Sequence, residues 1–251
     1  MAGHDLEAPG GDTPAHWSQL YRSRSDEVVP HRPTFTGDVF LDTVVGLPEG
    51  GEITIDALIV QHPCALRTNG VDLNSRILVA EVRDFRLVQS NEWTGLYKRM
   101  PLPDLGGAEP EAEPRHRAAF FEELHVASSQ RLGRRVASLS QFGVNLLLQR
   151  WVHHNTRVVV PTFTYQEQTS GVFEEAELVE DWCTEMEGAV NSEQATRDAA
   201  AWLRQPVARG GLMRQELLAD PQQRNQIRKD MRTHLKGLLE APVSESPDPA
   251  P

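Results

Sequence analysis

The sequence predicts an α+β protein in which a small β-barrel is followed by an α-helical C-terminal region. Short runs of alternating apolar residues, separated by turns with Gly and Pro, predict strands up to about residue 127. Longer segments with helical spacing predict helices after Ser140. The chain has 251 residues and is 39% hydrophobic, which is enough for a small barrel with a helical appendage.

The predicted organisation has four parts. Residues 1–33 are polar and rich in Pro and Gly, so they are expected to be a flexible arm. The barrel with its closing helix is assigned to residues 34–165, and a helical region to residues 166–241. The Pro-rich residues 242–251 are expected to be a disordered tail.

Two neighbouring strands open the predicted barrel. Residues 34–45 form the first, and a Gly-rich turn leads into residues 52–61, whose alternation changes to a continuous apolar run. This change indicates a strand that begins half exposed and ends buried. Pro63 stops the strand, and residues 76–82 predict the next one.

The following segments complete the sheet. Residues 93–105 contain two prolines, which favours an extended edge segment over a central strand. Residues 106–114 are predicted to be an exposed loop. Residues 117–127 fit a strand or a short helix, and the strand is preferred.

The C-terminal half is predicted to be mainly helical. Ser140 can cap a helix to about residue 155, whereas the β-branched residues 158–165 predict a strand. Further helices are predicted at 173–190, from Ser192 to before Pro206, and at 212–239 with a break at Asp220-Pro221.

Composition limits the classes of function. The net charge of −11 disfavours nonspecific nucleic-acid binding unless positive charge is clustered. Two cysteines are too few for a disulfide framework or a zinc ribbon, and a reducing cytoplasm is the simplest setting. We expect no membrane segment and no cofactor, because there is no long apolar run, no P-loop and no dinucleotide fingerprint.

The element His62-Pro63-Cys64 is one candidate site. A thiolate activated by the imidazole, or a metal pair, would use both side chains. The simpler alternative makes Cys64 a small buried apolar residue and His62 a polar strand end. No second ligand pair completes a zinc site, so no metal is expected.

Metal-dependent and serine-dependent chemistry is disfavoured. Glu81 is followed by Val82 and Arg83, so the lysine of an acid plus Glu-x-Lys nuclease pattern is missing. No serine has the Gly-x-Ser-x-Gly setting. The carboxylates that such a metal site would use are Asp38, Asp42, Asp56 and Glu81.

Charge is segregated into two segments. Residues 128–157 contain five arginines and no acid, and residues 174–187 contain seven acids and no base. The basic segment can meet phosphate or a partner, or the two segments can pair within the fold or with a partner copy. The candidate binding residues are Arg131, Arg134, Arg135 and Arg150.

Several motifs occur in a familiar order. Gly37-Asp38-Val39-Phe40 is followed by residues 58–66 (Leu-Ile-Val-Gln-His-Pro-Cys-Ala-Leu) and by residues 77–82 (Ile-Leu-Val-Ala-Glu-Val). This order over about residues 37–160 resembles PemK/MazF-like SH3-like barrels, and within them a bacterial and phage group of unassigned function. The resemblance implies an SH3-like barrel related to toxin–antitoxin ribonucleases.

The chain departs from that pattern at the catalytic positions. Glu52-Ile53-Thr54-Ile55 replaces the Arg-Pro pair of those toxins, so no catalytic residue is carried over. We therefore expect a non-enzymatic cytoplasmic protein of a phage or mobile-element locus that binds nucleic acid, such as RNA, or an acidic protein partner, with a homodimer left open. The alternative is a metal-independent endoribonuclease with a basic groove of Arg131, Arg134 and Arg135.

Overall fold

The computed structural model describes residues 5–68, 72–105 and 115–240. The chain divides into two compact units. The first unit comprises residues 1–30 and 34–173, and the second comprises residues 31–33 and 174–251. The predicted loop 106–114 and the predicted tail 242–251 lie outside the described residues.

The first unit contains nine strands and the helices that pack with them in its described residues. The strands are β1 Tyr21–Arg24, β2 Asp38–Gly46, β3 Glu52–Ile59, β4 Arg67–Thr68, β5 Asp72–Leu73, β6 Arg76–Asp84, β7 Arg99–Leu102, β8 Arg117–Ser128 and β9 Arg134–Leu139. The helices are α1 Pro14–Ser18, α2 Ser90–Trp93 and α3 Gln141–Thr156, and α4 Thr162–Glu185 begins here and ends in the second unit.

Seven strands form one antiparallel sheet in the order β1-β9-β2-β3-β6-β8-β7. The predicted opening hairpin is confirmed, because β2 pairs with β3 from Val39↔Leu58 to Gly46↔Glu52. The uncertain segment 117–127 is a strand, β8, which pairs with β6 and β7. One further pair, Val45↔Ala127, joins β2 to β8, and this single pair does not establish a closed barrel.

The N-terminal residues contain regular structure within the part that is described. β1 pairs with β9 through Tyr21↔Leu139 and Arg24↔Ala137. The Tyr21 hydroxyl donates to the Pro103 carbonyl at 2.9 Å. Alternating burial along β1 and the buried side chain of Trp17 anchor a segment whose Pro and Gly content indicated a flexible arm.

The strand predicted at 158–165 is wrong. Residues 158–161 have no regular structure, and α4 begins at Thr162, directly after Pro161. The Glu7 carboxylate accepts hydrogen bonds from the backbone N–H and the hydroxyl of Thr162, at 2.8 and 2.5 Å. A carboxylate 155 residues earlier in the chain therefore accepts the hydrogen bond of a backbone N–H at the start of this helix, which has no partner within the helix.

Each unit has its own apolar core. In the first unit one core lies on the sheet face that carries Phe40, Ile55, Ile59, Ile77 and Val79. In the second unit α4, α5 (Ser192–Leu203), α6 (Arg214–Leu217) and α7 (Pro221–Glu240) enclose the core residues Leu178, Trp182, Trp202, Ile227 and Met231.

The C-terminal helices agree with the predicted break, because α7 begins at Pro221. The structure thus shows an α+β chain with a large antiparallel sheet and a helical C-terminal region. Within the described ranges, no helix combines the length and apolar character needed to cross a membrane.

Candidate functional site

The His62-Pro63-Cys64 element forms a turn after β3. The backbone N–H of Cys64 donates to His62 Nδ1 at 3.3 Å, and Cys64 itself is an exposed free cysteine. The turn at Pro63–Ala65 carries Cys64 out of the strand, so it is not the buried apolar residue of the simpler alternative. Burial lowers the pKa of His62, which favours the neutral imidazole.

Two of the three clustered arginines of the basic segment are paired with carboxylates of the first unit. Arg131 Nη2 donates to Glu52 Oε2 at 2.7 Å. Arg135 Nε lies 3.2 Å from Asp38 Oδ2, and the Asp38 side chain is only 1% exposed. Arg134 is exposed. The counter-charges of Glu52 and Asp38 weaken the case for a basic groove built from these residues.

The expected placement of Arg150 on a surface that binds nucleic acid or a partner needs correction, because its side chain is buried. The residue has 0% exposure, and its guanidinium carbon lies 4.9 Å from the Trp93 ring centroid. Arg150 Nη2 donates to the carbonyls of Glu7 at 2.6 Å and Trp93 at 3.2 Å. Burial lowers the pKa of Arg150 to about 9, because desolvation disfavours the cation. The two hydrogen bonds to carbonyls offset part of that cost.

The acidic segment finds counter-ions inside the second unit. Arg228 of α7 lies 2.7 Å from Glu174, 3.0 Å from Glu177 and 3.1 Å from Asp181. Arg32 pairs with Glu180. The sequence interpretation considered only residues 128–157 or a partner copy as counter-ions and did not anticipate the arginines of α7.

A different set of basic residues meets aromatic rings at the β7 edge of the sheet. We call Arg83, Phe85, Arg86, Arg99 and Phe120 the arginine–phenylalanine surface. The Phe85 and Phe120 rings meet edge to face, with centroids 6.0 Å apart. The Arg99 guanidinium carbon lies 5.0 Å from the Phe85 centroid and 4.8 Å from the Phe120 centroid.

The other two arginines flank the same rings. Arg83 lies 5.6 Å from the Phe120 centroid and Arg86 lies 6.0 Å from the Phe85 centroid. Both are exposed, and both rings are partly exposed. Cation–π contacts of this kind hold the guanidinium groups close to the rings.

Strand register explains why these residues meet. Arg99 of β7 and Glu81 of β6 are the two cross-strand partners of Phe120 in β8. Direct cross-strand partners have side chains on the same face of the sheet. Arg83 lies on that face too, because it is two residues from Glu81 and side-chain direction along a strand repeats every two residues.

An acid–base pair lies on the same face. Arg83 Nε donates to Glu81 Oε1 at 2.7 Å, and His125 Nε2 lies 3.7 Å from Glu81 Oε2. The side chains of Glu81 and His125 are 18% and 16% exposed. The hydrogen bond from Arg83 is the main cause that lowers the pKa of Glu81, so this carboxylate is ionised at neutral pH.

The four carboxylates considered for a metal site do not converge. Asp38 pairs with Arg135, and Glu81 binds Arg83. Asp56 pairs with Arg117 at 2.7 Å and accepts from the backbone N–H of Asp42 at 3.1 Å. Among the residues that the structure describes, no three His, Cys, Asp or Glu side chains are arranged to hold a metal ion.

Sequence reasoning missed the arginine–phenylalanine surface. The available signal was local alternation, because Arg83, Phe85 and Arg86 lie within four positions and Lys98-Arg99 follows. The cluster forms only when β6, β7 and β8 align, and the register of β8 includes a bulge between the partners of Ala80 and Glu81.

Comparisons with known proteins give little guidance. No family model matches the chain, and no curated protein matches it either. It is similar to a solved structure described as an endoribonuclease in complex with its cognate antitoxin from mycobacterial species. The TM-score is 0.32 with 11% identity, over 51% of this chain and 99% of that chain, and a similarity this weak carries no argument about fold or function.

Proposed function

We propose that the first unit binds single-stranded RNA at the arginine–phenylalanine surface. The observation that carries this proposal is the position of Arg99. Its guanidinium carbon lies 5.0 and 4.8 Å from the centroids of two partly exposed rings, and Arg99 makes no ion pair within the described ranges. Aromatic rings and guanidinium planes are the groups on which proteins stack unpaired bases.

The charges around the surface favour a single strand that is bound mainly by stacking. Arg83 and Arg86 are paired with Glu81 and Glu92, whereas Arg99 makes no ion pair among the described residues and is attracted to Glu122 only at longer range. A net charge of −11 disfavours wrapping of a duplex, because the affinity of duplex binding depends on many phosphate contacts. Binding is therefore expected to depend weakly on salt and strongly on the rings.

The fold proposal that accompanies this function is closure of the sheet into a small SH3-like barrel. The pair Val45↔Ala127 between β2 and β8 supports it, because these strands are three places apart in the sheet order. Closure places β8 beside β2 and so fixes the position of β8, which carries Phe120.

Loss of Arg99 or Phe120 is expected to weaken RNA binding. Arg99→Gln and Phe120→Ala should each lower the affinity for a fluorescein-labelled 12-nucleotide oligouridylate about tenfold, because each removes a stacking contact. Arg99→Gln should also reduce the slope of log affinity against log salt by about 0.7. Fluorescence anisotropy at several salt concentrations measures both quantities.

Arg134→Gln is the matched control, because Arg134 is an exposed arginine of the same unit in the basic segment. Its affinity should equal that of the unsubstituted protein. If Arg134→Gln weakens binding while Arg99→Gln does not, the basic segment is the binding surface and the proposal is incorrect. Absence of saturable binding also overturns it.

The pair of Glu81 and His125 supports a second candidate, metal-independent RNA cleavage at the same surface. Glu81 would take the proton of the ribose 2′-hydroxyl, and the 2′-oxygen would attack phosphorus to form a 2′,3′-cyclic phosphate. His125 would act as the general acid and give a proton to the departing 5′-oxygen, while Arg83 holds a phosphate oxygen. The resemblance to PemK/MazF-like proteins supports this class of activity, but the residues invoked differ from that family's, since Glu52-Ile53-Thr54-Ile55 replaces its Arg-Pro pair.

Cleavage is tested with the 12-nucleotide oligouridylate in the presence of EDTA. If this candidate is correct, 2′,3′-cyclic phosphate products form, and Glu81→Gln and His125→Asn each reduce the rate by at least about a hundredfold. Binding of the oligonucleotide should survive both changes. Intact RNA after prolonged incubation with the unsubstituted protein would leave a binding function alone.

A further inference from the structure

We propose that the bound strand continues from the arginine–phenylalanine surface past Lys98 to a second stacking contact formed by Tyr97 and Arg157. We call these two residues the Tyr97 contact. This inference rests on the proposed function, and it extends the ligand from one or two nucleotides to a longer single strand.

Chain continuity connects the two surfaces. Tyr97, Lys98 and Arg99 are consecutive, so the Cα atoms of Tyr97 and Arg99 lie no more than about 7.6 Å apart. Arg99 belongs to the first surface, and Lys98 between the two is exposed. A strand leaving the Phe120 ring along this segment therefore meets a cation and then a second ring.

The geometry of the Tyr97 contact repeats that of the first surface. The Arg157 guanidinium carbon lies 4.6 Å from the Tyr97 ring centroid, and the His153 ring meets Tyr97 edge to face at 5.4 Å. Arg157 has φ 63° and follows the last residue of α3, so the left-handed end of the helix turns this side chain back over the ring.

A layer of rings supports the contact from the side of α3. Trp151 and His154 stack with an angle of 13° between their planes, and Phe121 meets Trp151 at 5.4 Å. Phe121 is 1% exposed. Its backbone N–H donates to the carbonyl of Lys98 at 3.0 Å, which fixes the Lys98 segment against this layer.

The C-terminal end of α3 makes a phosphate-binding pocket at His153 and His154 unfavourable, so base stacking is the better interpretation of this contact. The carbonyl end of a helix carries partial negative charge and repels anions. The Nδ1 atoms of both histidines are buried and have no hydrogen-bond partner among the described residues. The charges suited to phosphate are instead those of Arg157 and Lys98.

Glu122 limits the positive charge of this path. Its Oε1 accepts from Lys98 Nζ at 2.8 Å, and both side chains are about half exposed. A phosphate that approaches Lys98 must therefore compete with this carboxylate. Neutralising Glu122 should increase affinity, whereas a purely structural role of the pair predicts no gain.

The test compares a labelled uridine dinucleotide with the 12-nucleotide oligouridylate on the full chain. Arg157→Gln should lower affinity for the 12-mer about fivefold and leave the dinucleotide, which the first surface can hold alone, unchanged. Glu122→Gln should raise affinity for the 12-mer about threefold and steepen its salt dependence. Arg134→Gln is the control, and circular dichroism melting confirms that each variant is folded.

The outcomes separate the two proposals. If the 12-mer does not bind, or if Arg99→Gln does not weaken it, the proposed function fails. If Arg99→Gln weakens the 12-mer while Arg157→Gln does not, only the extension to Tyr97 fails. Equal weakening of the dinucleotide and the 12-mer by Arg157→Gln also overturns the extension, because the second contact would then not lie further along the strand.

Discussion

Arg150→Ala is expected to lower the free energy of unfolding of the first unit by about 4 kcal/mol. The change leaves the carbonyls of Glu7 and Trp93 without their buried donor and opens a cavity against the Trp93 ring. Hydrogen exchange of the amides in α3, followed by mass spectrometry, measures the loss in the unit concerned.

Arg134→Ala serves as the control, because this side chain is exposed and its truncation should change exchange very little. Arg150→Met tests the mechanism, since it fills the cavity but leaves both carbonyls unpaired. It should be less destabilising than alanine. If Arg150→Ala were as stable as the unsubstituted protein, the guanidinium would not be the centre of this hydrogen-bond network.

Gly133→Ala is expected to destabilise the first unit by about 3 kcal/mol. A Cβ atom at Gly133 would lie 1.8 Å from the Leu41 carbonyl oxygen and 2.8 Å from the Asp42 carbonyl carbon. Both atoms are backbone atoms of β2, where the register with β3 shifts, so no side-chain rotation relieves the clash. Urea denaturation followed by circular dichroism should show an earlier transition.

Gly237→Ala is expected to stabilise the protein, and it controls for the replacement of glycine by alanine as such. This glycine lies within α7 and a Cβ there meets nothing within 4 Å, so alanine should stabilise the helix by about 1 kcal/mol. Equal effects of the two substitutions would show that the approach of β2 to Gly133 is looser than the structure indicates.

Local sequence signals predicted the elements whose determinants are local. Ser140 was identified as a helix cap, and its Oγ accepts from the backbone N–H of Gly143 at 3.1 Å. Pro221 was identified as the start of a helix. The strand expected at 158–165 failed because three consecutive valines have strand propensity, whereas Pro161 and the distant Glu7 carboxylate determine the start of α4.

The candidate site was less predictable, because its residues come from separate strands. Composition identified the arginines of 128–157, but it could not show that Arg150 is buried. Nor could it show that Asp38 pairs with Arg135 and Glu52 with Arg131. The residues that meet at Phe120 come from β6, β7 and β8. Their proximity depends on strand register, which the hydrophobic pattern did not define across the β8 bulge.

The position of Glu7 has a consequence for how the chain folds during synthesis. Residues 5–24 leave the ribosome before the strands and helices they pack with, since Glu7 binds Thr162 and Tyr21 pairs with Leu139. This segment must therefore wait for more than a hundred later residues before its partners exist. It is accordingly among the last parts of the first unit to fold, and its Trp17, buried in the folded protein, is exposed to chaperones and proteases until β9 and α4 have formed.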